Sequence, residues 1–61
     1  MTSDDFNRFT ETLGVSRAEV CRRLGISLNT GTKYAHGRVA IPRYIALACA
    51  ALIRGIEPWP D

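Results

Sequence analysis

At 61 residues the chain is at most one small domain, too short for a catalytic cleft with its own substrate lobe, so an enzyme is not expected. With 46% hydrophobic and 23% charged residues it is composed to fold, but a core of this size supplies only about 3 to 5 kcal/mol unless a disulfide, a metal or a second subunit adds to it. The net charge of +2 hides an uneven distribution: residues 17–43 hold six basic side chains against Glu19 alone, while both flanks are net acidic, as suits a domain that turns one face to a polyanion.

The chain opens on acidic and polar residues with no basic segment before an apolar stretch, so no signal peptide is expected. Ser3 is the expected cap of a first helix over about residues 4 to 13, with Asp4 and Asp5 at the positive end of the macrodipole. Phe6, Phe9 and Leu13 give that helix its apolar stripe, and Gly14 ends it. Ser16-Arg17-Ala18-Glu19 reads as a capping box opening a second helix over about residues 17 to 24, with Val20, Cys21 and Leu24 inward and Gly25 after it. Ser27 is placed to cap a third helix running to about His36 and closed by Gly37. Pro42 suits the first position of a fourth helix, stopped by Gly55 and Pro58. Its apolar run, Tyr44 to Ile53, is far short of the roughly 20 residues that span a bilayer, so no membrane partner is expected.

Cys21 and Cys49 stand singly in apolar helical patterns, which makes them small buried hydrophobes of a reducing cytoplasm. His36 is the single histidine, so a four-ligand zinc site cannot be assembled. No metal, cofactor or small-molecule ligand is expected. Dimerisation is the support that remains.

Read together, the second helix, the Gly25-Ile26-Ser27 link and the third helix form a helix-turn-helix, with Cys21 as the small mid-helix residue and Val20, Leu24 and Tyr34 as apolar anchors. The stretch Gly14-Val15-Ser16-Arg17-Ala18-Glu19-Val20-Cys21-Arg22-Arg23-Leu24-Gly25-Ile26-Ser27, followed by Lys33-Tyr34-Ala35-His36-Gly37-Arg38 and Pro42, resembles the Cro/repressor (Xre-like) family of bacterial and phage DNA-binding domains. The resemblance covers about residues 10 to 55. It implies one all-α, four-helix, repressor-like domain over residues 1–61, with the helix-turn-helix at about 16–37 and residues 42–61 as the candidate dimer interface. It further implies a cytoplasmic, bacterial or phage-encoded regulator of transcription, associated with the nucleoid when bound.

Three positions depart from the family pattern. Arg17 stands where glutamine is common, Ala35 where glutamate is, and Gly31 where the family usually buries Ile or Val. Arg17 can meet a phosphate. Gly31 is either an under-filled position that alanine would stabilise or a place where backbones approach closely.

An α-helix fits the major groove, where Asn pairs with adenine and Lys or Arg with guanine. With Gly31 and Tyr34 inward, the expected base-reading positions are Leu28, Asn29, Thr32, Lys33 and His36. Arg17, Arg38 and Arg43 are the leading phosphate contacts, with Arg22, Arg23 and Ser27 as further candidates. The fourth helix is apolar on every side, which suggests a homodimer seam through Ile45, Cys49, Leu52, Ile53, Ile56 and Trp59. A tail folded back with Trp59 in the core is the alternative. The expected function is sequence-specific binding of double-stranded DNA by a homodimeric repressor on a palindromic operator. The rival is a protein-interaction module, an anti-activator or antitoxin-like subunit, that uses the apolar fourth helix.

Overall fold

The computed structural model describes residues 1–60. Among them are four α-helices and no strand: α1, Ser3–Leu13; α2, Arg17–Leu24; α3, Leu28–Ala35; and α4, Arg43–Ile53. α3 packs on α1 and α2, and α4 closes the other side of the same pair. No described helix is long and apolar enough to cross a membrane.

The cap of α1 lies one residue before the expected one, Ser3. Thr2, in extended backbone, accepts a hydrogen bond from the amide of Asp5 at 3.1 Å, and the Asp5 carboxylate accepts from the amide of Thr2 at 2.8 Å. The reciprocal box needs an acid three residues after the cap, and only Thr2 has one there, since Phe6 follows Ser3 at that spacing. These bonds hold the Asp5 carboxyl below its ordinary pKa. Ser3 instead lies within the first turn, beside Gly37.

Ser16 caps α2 by accepting from the amide of Glu19 at 3.1 Å, but Glu19 does not reach back as the box reading requires. Its carboxylate is taken by Arg22 and Arg23 one turn further on. Pro42 is the N-cap of α4 rather than its first residue; in extended backbone it leaves its carbonyl to accept from the amides of Ile45 and Ala46. α3 ends at Ala35, and His36 is its C-cap.

The core joins Phe6 and Phe9 of α1, Val20 of α2, Tyr34 and Ala35 of α3, and Ile45 and Cys49 of α4. Phe6 and Tyr34 meet edge to face with ring centroids 5.7 Å apart, tying α3 to α1 through the geometry that aromatic pairs prefer. A hydrogen bond strengthens that tie: the Asn7 side chain donates to the carbonyl of Ala35 at 2.9 Å, satisfying one of the orphan acceptors at the end of α3. Ala35 is buried in the same cluster.

The α2–α3 connection is short because Gly25 takes a left-handed conformation, φ 75°, and the amide of Ile26 returns to the carbonyl of Cys21 at 3.0 Å. This turn lays Gly31 on Cys21. A Cβ added at Gly31 would stand less than 3.0 Å from the Cys21 sulfur, so the position is a close approach of two helices and not an under-filled one. The glycine of α3 and the thiol of α2 are complementary in volume. Both cysteines are free and buried, and burial raises the pKa of each, that of Cys49 to about 11, so neither is an activated nucleophile.

Overpacking of this kind costs about 1 to 3 kcal/mol, more than the roughly 0.5 to 1 kcal/mol that alanine gains over glycine in a helix. Gly31→Ala is therefore expected to destabilise the fold, and Cys21→Ala to recover part of that loss in the double variant. Urea unfolding of the four proteins measures the coupling; additive effects, or a gain from Gly31→Ala alone, would contradict the close fit.

Candidate nucleic-acid interface

With Gly31, Tyr34 and Ala35 facing inward, the opposite side of α3 is presented to solvent. Leu28, Asn29, Lys33 and His36 are exposed and Thr32 is half-buried, so all five expected reading residues share one face of the helix and its cap. Leu28 is 52% exposed at the leading end, an apolar side chain with no place in the core. Ser27, the further phosphate candidate, caps α3. Its hydroxyl accepts from the amide of Thr30 and donates to the Thr30 hydroxyl at 3.0 Å, so its hydrogen-bonding capacity is already engaged in holding the first turn.

The six basic side chains of residues 17–43 fall into two groups. Arg22 and Arg23 are bound to Glu19: the Arg22 Nε donates to Oε1 at 2.9 Å and the Arg23 Nε to Oε2 at 2.8 Å. This pairing lowers the Glu19 pKa from 4.5 to about 2 and raises that of Arg22. Arg23 also lines a groove against Leu52, Ile56 and Glu57, which none of the reading residues touch. Arg17, Lys33, Arg38 and Arg43 make up the second group. Among the described residues none of them forms an ion pair, and from Val20 to Ile56 the sequence contains no carboxylate at all. Arg17 is half-buried at the start of α2, Arg38 is exposed just past α3, and Arg43 is exposed at the first position of α4. Uncompensated charge thus stands at the start of α2 and around the end of α3 and the start of α4, while Arg22 and Arg23 are partly neutralised.

α4 does not place the expected seam on one surface. Ile45 and Cys49 are each 2% exposed and belong to the core of the single chain together with Phe6 and Val20, and Leu52 is partly buried against the same cluster. The open side carries Tyr44, Leu47 at 59% and Ile53 instead, with Ile56 and Trp59 beyond the helix. Periodicity puts Tyr44 and Leu47 on the side of the helix away from Ile45 and Cys49, but in a helix apolar all round it does not say which side is buried. Trp59 is 96% exposed and so is not packed in the core.

Glu19 gives the face its clearest pH signature. A carboxylate whose folded pKa lies below its unfolded value adds stability in full above that unfolded value and loses it as pH falls through the folded one. The stability gap between the wild type and Glu19→Gln is expected to be constant above pH 4.5 and to close between pH 4.5 and about 2. Urea midpoints measured from pH 7 downward check this; a gap that persists unchanged at pH 2 would contradict the clamp.

In comparisons with family models, with curated proteins and with solved structures, no match to the chain was found, so what this face does has to be read from its own residues.

Proposed function

We propose that the chain binds double-stranded DNA as a homodimeric transcriptional regulator, a repressor that occupies a palindromic operator. In this reading α2 and α3 act as a helix-turn-helix, and α3 enters the major groove. The observation that carries it is the composition of the outward face of α3. Asn29 and Lys33 are exposed donors of the type that read adenine and guanine edges, Leu28 is an exposed apolar group suited to a thymine methyl, and the stretch around them is free of acid. Thr32 and His36 serve either base or phosphate. Arg17, Arg38 and Arg43 are assigned to phosphates, where they would fix register without reading sequence. Arg22 and Arg23 contribute less than their number suggests, because a phosphate must first displace Glu19.

A dimer is part of the reading for two reasons. One module of this kind buries only about 600 to 1,000 Å² on DNA, so high specificity needs two, reading half-sites about 34 to 36 Å apart. The exposed apolar residues of α4 and the tail supply a surface for it. The same residues favour the second reading, an anti-activator or antitoxin-like module that docks α4 on another protein and binds DNA weakly.

Selection of bound duplexes from a random library, followed by titration of variants, tests the proposal. A palindromic consensus is expected. Asn29→Ala should cost about 1 to 3 kcal/mol on the selected site and little on random duplex. Arg43→Ala should weaken binding to all duplexes alike and reduce the salt slope by about 1 for each phosphate that is no longer neutralised. Equal effects of the two variants on specific and random duplex would remove α3 as the reader.

A further inference from the structure

The two ends of α3 are held by different parts of the molecule. At its start the Ser27 hydroxyl caps the first turn and Gly31 lies on Cys21, so Leu28 and Asn29 take their place from α2. The last turn is held from α1. There the amide of Gly37 returns to the carbonyl of Tyr34 at 3.2 Å and that of Arg38 to the carbonyl of Lys33 at 2.9 Å, and Gly37 lies beside Ser3. The carbonyl of Ala35 is left over, and it accepts from the half-buried Asn7 side chain at 2.9 Å. Among the described residues this is the one side-chain hydrogen bond that joins two helices, every other being made within a single turn or cap.

That end of α3 carries Lys33 and His36, and the chain that leaves it carries Arg38. At about 1.5 Å per residue His36 stands roughly 10 Å along the axis from Asn29, or about three base-pair steps, so the two ends address different base pairs. A base-edge contact depends on alignment, because a hydrogen bond weakens steeply as its angle departs from a line. A cation attracts the phosphate backbone without any such demand. Whatever fixes the last turn of α3 thus decides discrimination at one end of a half-site and leaves the general attraction to DNA alone. The Phe6–Tyr34 contact joins the same two helices, but aromatic pairs are favourable over centroid separations of roughly 4.5 to 7 Å, against about half an ångström for a hydrogen bond.

We propose that Asn7 is a positioning residue for sequence reading: without touching DNA, its bond to the Ala35 carbonyl sets the angle at which Lys33 and His36 meet the bases. This rests on the reading of α3 as the helix that enters the major groove. It adds that α1, which carries none of the reading residues, sets the preference at one end of each half-site.

The test selects bound duplexes from a random library with the full chain, with Asn7→Ala and with Asn7→Leu, which fills the space without a donor. Each protein is then titrated against the wild-type site and against random duplex. Both variants are expected to relax the consensus at the base pairs that Lys33→Ala also relaxes and to keep those that depend on Asn29. Affinity for the wild-type site should fall about tenfold or more, the worth of one base-edge contact. Affinity for random duplex and its salt slope should stay unchanged, because no charge has been removed. Four results would overturn the proposal. A fall on both duplexes by the same factor, as unfolding produces, makes Asn7 a residue of stability alone. A consensus left whole, or relaxed at the Asn29 base pairs instead, means that other contacts set the end of α3. Relaxation in Asn7→Ala but not in Asn7→Leu assigns the effect to packing and not to the bond. These three leave α3 standing as the reader, whereas a wild type that selects no consensus removes that reading and this proposal together.

Discussion

The fit of the Cys21 thiol against the bare backbone of Gly31 decides which way α3 faces. A glycine inside a helix is locally unfavourable, and it is tolerated here because it lets α3 lie close on α2. Once the two helices meet there, Tyr34 falls against Phe6, and the Ala35 carbonyl comes within reach of Asn7. Three separate ties, to α2 by volume and to α1 by an aromatic edge and a hydrogen bond, fix the rotation of an eight-residue helix that could not hold its own conformation in water. The face bearing Leu28, Asn29, Thr32 and Lys33 is outward as a consequence of what is held inward.

Charge is arranged around that face by subtraction as much as by placement. Six basic residues between positions 17 and 43 look equivalent in the sequence. Glu19 separates them, engaging Arg22 and Arg23 and leaving Arg17, Lys33, Arg38 and Arg43 uncompensated. Exposed pairs of this kind add little to stability. Their larger effect is on the potential of the surface, which is weakened on one side of α2 and kept at the ends of the elements that flank α3.

Much of this could be read from the residues. Helix existence followed from the apolar spacing of Phe6, Phe9 and Leu13 and from the glycines after α1 and α2, and the outward positions of α3 followed from periodicity once Tyr34 was placed inside. The misplacements share a cause, which is that one side chain has several possible local partners. Thr2 and Ser3 are both capping residues, and only the acid at Asp5 separates them. Glu19 could close a capping box or bind the arginines one turn on, and two cations outweigh one amide. Nothing in a single sequence shows that Cys21 and Gly31 compensate each other, because the compensation is a matter of distance between helices. α4 was the hardest to read: a helix apolar all round offers no polar stripe, so Ile45 and Cys49 could not be told from Tyr44 and Leu47 until α1 and α2 were laid against it.

Backbone amide shifts of the isotope-labelled chain, followed by NMR as duplex DNA is added at low salt, locate the functional surface most directly. The largest changes are expected along residues 27–33 and at Arg17, Arg38 and Arg43, and they should shrink as salt is raised. Changes confined to α4 and the tail, or none at any duplex concentration, would contradict α3 as the face that meets DNA.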